Sequence, residues 1–266
     1  MTMRFGALPS TLFALAVAGC YSGDGSGNVV LEAFPVEPFS EVVLNGDGIV
    51  VISTGDHRVV VSVEDDVLPS VQAETRGETL VLGREVDWVD GIRPTVPIEY
   101  RVTLPNLRSV KVSGSGRAVI RGIRAHQTLS FAVTGSGAID ATDVAGGDLE
   151  VEVSGAGAVT VSGLVAEDFV CDISGSARVT VAGFAESINL NIGGSGLYRG
   201  IELRGLRANV EVSGVGQAFV WADEQLEVEV SSLGKVTYRG DPAMDERVVG
   251  NDRVVPLAMG RGRQGD

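Results

Sequence analysis

The chain has 266 residues, of which 21 are Lys or Arg and 35 are Asp or Glu, so its formal net charge is −14. This acidity argues against nucleic acid and anionic lipid as electrostatic partners. Glycine is abundant at 36 residues, aromatic residues make up only 5%, and Val-, Ile- and Thr-rich runs recur between the glycines. Such a composition favours short strands joined by tight turns, and we predict an all-β protein.

The N-terminus has the pattern of a bacterial lipoprotein signal. Arg4 precedes an apolar run, Phe5–Ala18, that is too short to span a membrane and is typical of a secretion signal. The run leads into the motif VAGC at residues 17–20, which resembles the lipobox of bacterial lipoproteins. We therefore predict that residues 1–19 are removed and that the Cys20 thiol receives a diacylglycerol. The alternative is an ordinary signal peptide that a stray cysteine happens to follow.

A lipid on Cys20 would attach the protein to a membrane without spanning it. Two or three acyl chains bind almost permanently, since each buried methylene contributes about 0.8 kcal/mol. Residues 20–37 include the polar, glycine-rich sequence YSGDGSGN, so we predict a flexible tether between the lipid and the folded domain. No Asp directly follows Cys20, which by the enteric sorting rule favours the outer membrane, with the protein facing the periplasm or the cell surface.

A motif of the form apolar-x-apolar-Ser-Gly-x-Gly recurs from residue 110 onward. With its Ser-like residue as a marker, the intervals between successive copies are 21, 20, 20, 19, 20 and 18 residues. Such a period is the signature of a solenoid in which each repeat forms one coil. An earlier copy, VVLNGDG with Asn45 at the marker, lies 68 residues before the first regular copy. The regular copies are VKVSGSG, FAVTGSG, VEVSGAG, CDISGSA, LNIGGSG, VEVSGVG and VEVSSLG, with markers at residues 113, 134, 154, 174, 193, 213 and 231.

Alternation of apolar and polar residues within each copy predicts which side chains face the core. In a strand, residues two apart lie on the same side. Apolar residues occupy the positions five, three and one before the marker, and again two and four after the last glycine. We predict that these columns point inward and that the Ser-Gly-x-Gly segments form tight corners. Cys171 lies in an inward column and should be a buried, inert thiol.

These patterns predict a single-chain parallel β-helix, or solenoid, over residues 38–257, with about 20 residues per coil. Divergent first coils with insertions would occupy residues 38–109, and the regular repeats residues 110–240. Residues 241–257 are rich in valine and would fold back as a C-terminal cap. Residues 258–266 would be a disordered tail.

The corners VSGSG, VTGSG and VSGAG, together with EVVLNGDGIVVIS and the segment DDVLPSV at Asp65, resemble the head GIN domain family of auto-transporter adhesins. The resemblance covers roughly residues 38–245. It implies an exported protein, often a lipoprotein, with a right-handed β-helix fold, and it supplies no catalytic residue to carry over. Ala177 and Ser232 replace glycines at two corners, which indicates locally looser demands on the corner rather than a site.

Four aromatic residues are candidate ligand contacts. Trp88 lies in an insertion between the early coils, where loops often carry recognition. Phe219 and Trp221 occupy outward positions of a second strand, with Tyr198 nearby, and exposed aromatic rings on a β-helix can stack on sugar rings. The alternative is that the segment 241–257 folds over these aromatics and hides them. The sequence leaves both interpretations open: an exposed strip that binds glycans, and aromatic residues covered by a C-terminal cap.

The outward positions of the first strand of each coil carry acidic and amide side chains. Such a ladder can gather divalent cations weakly, or it can simply be a solvated face that blocks edge-to-edge aggregation. Its members are Glu150, Glu152, Asp172, Asn189, Asn191, Asn209, Glu211, Glu227 and Glu229.

Catalysis finds little support in the sequence. His57 and His126, the only histidines, belong to no constellation, and the carboxylates Asp140, Glu152 and Asp172 lack a nearby basic partner. We predict a lipid-anchored, adhesin-like or envelope-interaction scaffold without catalytic activity, cofactor or metal ion. Its partner would be a surface glycan or an envelope protein. A carbohydrate-binding or carbohydrate-active β-helix is the alternative.

Overall fold

A computed structural model of the chain describes residues 23–85, 91–125, 127–231, 233–248 and 253–257. Within these ranges the protein is nearly all β, with nineteen strands and one 3₁₀ turn at Leu68–Ser70. No helix in them is long and apolar enough to cross a membrane. The strands are β1 Val29–Phe34, β2 Glu41–Gly46, β3 Ile49–Thr54, β4 Arg58–Glu64, β5 Val71–Arg76, β6 Thr79–Arg84, β7 Glu99–Leu104, β8 Ser109–Gly114, β9 Arg117–Ala125, β10 Leu129–Gly135, β11 Ala138–Gly146, β12 Leu149–Gly155, β13 Ala158–Ile173, β14 Arg178–Ile192, β15 Leu197–Val212, β16 Gln217–Val230, β17 Lys235–Arg239, β18 Ala243–Val248 and β19 Arg253–Pro256.

The strands form two long parallel stacks that meet at the Ser-Gly-x-Gly corners. In one stack, called the first face, β2, β8, β10, β12 and the C-terminal halves of β13 to β16 lie side by side, and β18 ends the row. In the other, called the second face, β3, β9, β11 and the N-terminal halves of β13 to β16 do the same, followed by β17 and β19. Neighbouring strands in such a stack are roughly 4.8 Å apart. The predicted parallel solenoid with about 20 residues per coil is confirmed.

The apolar columns that the alternation predicts line the interior of the solenoid. In one central coil, Leu149, Val151 and Val153 on the first face and Val159 on the second face are all buried. The other residues of the predicted columns are buried in the same way, except Tyr238, which is partly buried against the core. The core is therefore a continuous apolar cluster that no single coil could enclose alone.

The corners between the two faces are crowded because successive corners lie directly on one another. A Cβ added at Gly155 would come 2.5 Å from the carbonyl oxygen of Gly135, and a Cβ added at Gly135 would come 2.7 Å from that of Gly114. Gly155 also has a φ of +124°, a left-handed conformation that side chains rarely adopt. Gly175, one coil further on, lies outside the left-handed region, yet a Cβ there would still collide with Gly155. These corners therefore require glycine because they have no space for a Cβ atom, whether or not the backbone is left-handed.

The divergent N-terminal region is arranged differently from the predicted series of coils with insertions. Asn45 in β2 pairs directly with Ser113 in β8, so the early copy of the motif stacks on the first regular copy although the two residues are 68 positions apart. The chain between them turns back, and β6 and β7 pair in parallel with the other edges of β2 and β3. Antiparallel strands then close this end, with β5 on β6 and with β4 and β1 beyond β7. The insertion is therefore the end layer of the solenoid.

Both ends of the folded domain differ from the predictions for them. Within the predicted flexible tether, residues 29–34 form β1, which pairs with β4. At the other end, β18 pairs in parallel with β16 and β19 with β17. The C-terminal segment thus adds one more coil, because it can continue the backbone pairing, and does not fold back over the second face. The signal sequence 1–19 and the tail 258–266 lie outside the described residues.

A charge placed in an inward column should destabilise the protein far more than one on the adjacent outward position. Val153→Asp would bury an uncompensated carboxylate, and we expect it to lower the free energy of unfolding by about 3 to 5 kcal/mol. Glu152→Lys, one residue away but exposed, should change it by less than about 0.5 kcal/mol. Urea titrations followed by circular dichroism measure both, and similar losses in the two variants would contradict the inward and outward assignment.

Candidate functional site

The outward side chains of the first face form rows that run along the stack. In one row Glu152 and Asp172 are neighbours, and Asn191 separates Asp172 from Glu211 and Glu229. The ion pairs found in the described ranges include none of these carboxylates. In the same ranges no three metal-binding side chains lie close enough together to hold an ion. The predicted ladder is thus an extended acidic surface, in which amides reduce repulsion between stacked carboxylates.

The second face carries the opposite charge. Arg178, Arg199 and Lys235 are exposed at its outward positions, and none of them takes part in an ion pair within the described chain. Arg117 is outward as well, but its Nε lies 2.8 Å from Oδ2 of Asp140. Sequence reasoning missed this basic face. The signal was available, because each of these basic residues stands one or three positions after a corner, where the alternation places outward side chains.

Trp221 lies on the second face as predicted, but neighbouring side chains hold it in place. Its indole Nε1 donates a hydrogen bond to Oδ1 of Asp223 (2.8 Å), and Oδ2 of Asp223 accepts one from Nε of Arg204 (2.6 Å). The hydrogen bond from Arg204, followed by that from Trp221, lowers the pKa of the Asp223 carboxyl. The Arg239 guanidinium lies 3.9 Å from the centre of the indole ring. A cation thus already occupies one face of the ring, a contact of about 0.5 to 1 kcal/mol at an exposed site.

Phe219 is the more available of the two aromatic residues on this face. It is half-buried and stands between Arg199 and Thr237 in the outward row. The C-terminal segment extends the face beside it through β17 and β19 and does not cover it. The second face therefore presents an aromatic ring among unpaired cations.

Tyr198 is a core residue, and its assignment as a ligand contact is wrong. It is fully buried in an inward column between Val179 and Ala218, and its ring stacks on Phe169 with 6.2 Å between centroids. Its hydroxyl has no hydrogen-bond partner in the described part of the chain, and burial raises its pKa. Gly200 makes room for the ring, because a Cβ there would collide with it. The repeat itself held the signal, since these two residues stand two and four positions after the last glycine of their copy.

The remaining candidates do not form a catalytic group. Cys20 and Trp88 lie outside the described residues. Cys171 is buried as predicted, and burial raises the pKa of its thiol. Asp140 was expected to lack a basic partner, but it pairs with Arg117 across adjacent strands of the second face. It therefore lies on a different face from the carboxylates of the acidic ladder and does not converge with them.

A buried carboxylate clamps the first described residues to the N-terminal end of the solenoid. Glu64, the last residue of β4, accepts hydrogen bonds from the backbone N–H groups of Gly27 and Thr95, each 2.8 Å long, and from the Thr95 hydroxyl at 2.5 Å. The hydrogen bond from the Thr95 hydroxyl is the main cause that lowers the pKa of Glu64. Hydrogen bonds to a charged acceptor are stronger than those between neutral groups. The segment before β1 is therefore held by the end layer.

Asp65 and Arg93 extend the clamp on either side of Glu64. Asp65 accepts hydrogen bonds from the Ser26 hydroxyl (2.5 Å) and the Asn28 side-chain amide (2.8 Å), which lower its pKa in that order. The backbone of Arg93 exchanges hydrogen bonds with residues 23–25. Residues 23–28, predicted to be a flexible tether, are thus bound to the domain. No local pattern signals this, because the partners lie more than 30 residues away along the chain.

These features define a class of protein, a parallel β-solenoid with glycine corners, one acidic face and one basic face. A sequence profile described as “Putative auto-transporter adhesin, head GIN domain” matches residues 38–242. The chain belongs to this family. The comparison with curated proteins found no match.

Three solved structures share the fold. A “putative lipid binding protein” from Parabacteroides distasonis has a TM-score of 0.82 at 20% identity, covering 88% of this chain and 99% of its own. A “putative adhesin” from the same organism has a TM-score of 0.80 at 23% identity, covering 89% and 100%. A “putative adhesin” from Parabacteroides merdae has a TM-score of 0.79 at 19% identity, covering 88% and 98%. At these identities the likeness concerns the fold.

Replacing Glu64 with Gln should loosen the N-terminal segment. Each carboxylate oxygen of Glu64 accepts a hydrogen bond from one backbone N–H. In a glutamine, one of these oxygens would be replaced by an NH₂ group, which is itself a donor and cannot accept that hydrogen bond. In hydrogen–deuterium exchange we expect the Gly27 and Thr95 amides to exchange about tenfold faster or more in Glu64→Gln. Glu32→Gln, the same change at an exposed residue of β1, should leave these two amides nearly unchanged.

Acid should weaken the same clamp. Because folding lowers the pKa of Glu64, its contribution is present above the ordinary glutamate pKa of about 4.3 and is lost as the pH falls through the lowered value. Protection of Gly27 should therefore fall on acidification more steeply in the wild type than in Glu64→Gln, where Asp65 is the remaining carboxylate of the clamp. Identical pH profiles, or identical exchange rates at neutral pH, would contradict the clamp.

Proposed function

We propose that this protein is an exported lipoprotein of the cell envelope that acts as an adhesin-like binding scaffold without catalytic turnover. The description of its family supports the adhesin role, and the lipobox at residues 17–20 supports anchoring in the outer membrane through Cys20. The observation that carries the proposal is the pair of long, solvent-facing strand stacks with opposite charge. Such surfaces suit contact with an extended partner better than the enclosure of a small substrate.

The second face is the surface through which we propose that the protein binds. Arg178, Arg199 and Lys235 present cations that no carboxylate of the described chain neutralises. Guanidinium groups bind carboxylate and phosphate through paired hydrogen bonds. A polyanion lying along this face would meet Arg178, Arg199 and Lys235 in turn, separated by uncharged positions. The acidic first face would repel the same polymer, so binding would be confined to one side of the rod.

An acidic surface polysaccharide is the second, more specific candidate, and Phe219 favours it. Its half-buried ring lies among the cations of the second face, where its exposed part can pack on the apolar face of a sugar while the guanidinium groups bind the acidic substituents. Most glycoside hydrolases need two carboxylates that flank the same bond. Asp140 is paired with Arg117 on the second face, and Glu152 lies on the first face, which supports binding over hydrolysis.

Lipid binding, which the name of one structural relative mentions, finds no room inside the described part of this solenoid. The interior between the two faces is filled with buried side chains, including Phe131, Phe169 and Tyr198. An acyl chain would compete with these packed residues for the same space. A lipid contact of this protein would therefore be made at its surface.

Reversing charge on the second face should weaken binding to an acidic polysaccharide. With polygalacturonate as the probe, we expect Arg199→Glu/Lys235→Glu to weaken binding at least about tenfold, because two charge-assisted contacts of about 1 kcal/mol each become repulsive. Lys111→Glu/Arg247→Glu changes the net charge equally but lies on the first face, and it should bind like the wild type. Phe219→Ala should weaken binding while leaving its salt dependence intact.

The recovered polymer also tests the absence of turnover. We expect polygalacturonate incubated with the protein to keep its chain length, measured by size-exclusion chromatography. Equal loss of binding in both charge-reversal variants would show a net-charge effect and reject the second face as the site. Shortened polymer would reject the non-catalytic role.

A further inference from the structure

We propose that the N-terminal end of the solenoid docks on the bilayer that holds the lipid of Cys20, so that the rod stands on this end. The inference rests on the lipid anchor of the proposed function. It adds a second membrane contact, made by side chains of the folded domain, and it assigns an orientation to the two charged faces.

The segment between the lipidated Cys20 and the N-terminal end of the solenoid is short. The Gly23 carbonyl accepts a hydrogen bond from the Arg93 N–H (2.9 Å), and the Arg93 carbonyl accepts one from the Gly25 N–H (2.8 Å). Only residues 21 and 22 lie between Gly23 and Cys20. Because an extended residue spans at most about 3.6 Å, the Cα atom of Cys20 lies within about 11 Å of that of Gly23. A bilayer that holds the lipid must therefore come close to this end.

Three exposed apolar side chains surround the clamp and form what we call the N-terminal apolar patch. Leu31 is 63% exposed, Val29 45% and Val96 38%. Leu31 and Val29 point outward from β1, at the N-terminal edge of the second face, because they pair with Ser62 and Glu64, which alternate with the inward residues Val61 and Val63. Val29 pairs with Glu64, which binds the backbone of Thr95, the neighbour of Val96. The other large apolar residues exposed in the described ranges are scattered over distant corners and the C-terminal coil, namely Val165, Val215, Leu233, Met244 and Leu257.

A bilayer is the occupant that this position favours for the patch. Apolar side chains held beside inserted acyl chains can enter the boundary between headgroups and hydrocarbon, as those of interfacial segments do. Asp24, Glu32 and Asp65 make the surroundings acidic, so the contact should be apolar and should not depend on anionic lipid. Docking would leave β18 and β19 at the far end of the rod, and only the N-terminal edge of the second face, at β1, would enter the headgroup region.

Spin labels on the mature, lipidated protein in phosphatidylcholine vesicles test this proposal. Cys171 is buried with a raised thiol pKa, so a label added at Leu31→Cys reacts selectively. We expect that label to be accessible to oxygen, which concentrates in the bilayer, and shielded from an aqueous nickel complex. The matched label at Leu233→Cys, on the 73% exposed corner residue near the other end, should show the opposite preference.

A second variant separates docking from anchoring. In Val29→Glu/Leu31→Glu, a label at Val96→Cys should become fully accessible to nickel, whereas the protein stays in the vesicle fraction through its lipid. These exposed substitutions should not disturb folding, which circular dichroism checks.

The outcomes that overturn the proposal differ from one another. If intact-protein mass spectrometry shows no lipid on Cys20, both the anchor and the docking are rejected. A lipidated protein whose Leu31 and Leu233 labels are equally accessible to nickel would reject the docking alone. Spin–spin broadening between Leu31 labels, with shielding from both reagents, would assign the patch to contact between two copies of the chain and would also reject docking on the bilayer.

Discussion

Coils can stack at the spacing of backbone hydrogen bonds only where no side chain stands between them at the corners. The corner glycines of this protein meet that condition, since a Cβ at Gly155 would come 2.5 Å from the carbonyl oxygen of Gly135, and the same crowding recurs coil after coil. With the corners closed in this way, the strands from β8 to β16 pair in register, and each outward side chain stands beside its counterpart in the next coil. Because of that register, equivalent positions of successive coils form rows along the stack. A row whose side chains carry charges of the same sign makes the face charged.

The same register separates the two charges of the molecule. Glu211 and Glu229 are neighbours on the first face, while Arg199 and Lys235 lie on the second. Interactions between exposed charges are largely screened beyond about 8 Å at physiological ionic strength, so each face acts on a partner mainly through its own side chains. A chain with a net charge of −14 can therefore offer a basic surface. The N-terminal clamp adds the third element, because it holds the residues that follow Cys20 against one end of the rod.

Local periodicity was sufficient to predict the solenoid, its coil length and the core columns of the regular repeats, since an inward position is recognised from its own copy of the motif. Tyr198 was predictable by the same rule and was misplaced because its aromatic chemistry was weighed before its position in the repeat. Other features depend on residues far apart in sequence. Glu64 contacts Gly27 and Thr95 across 37 and 31 residues, and no spacing announces such a contact. The pairing of β2 with β8 likewise depends on distant residues, because β6 from the insertion takes one edge of β2 and leaves the other edge free for β8.

In the orientation that we propose, the protein stands on its N-terminal end and presents its two charged faces to an extended partner. Neutron reflectivity of the lipidated protein on a supported phosphatidylcholine bilayer measures this most directly, through the thickness of the protein layer. The stack from β6 to β18 predicts a layer roughly 45 Å thick at a strand spacing of about 4.8 Å. A layer of only about 20 Å, the width expected for a coil of this length, would mean that the rod lies flat on one of its faces, and it would contradict the account.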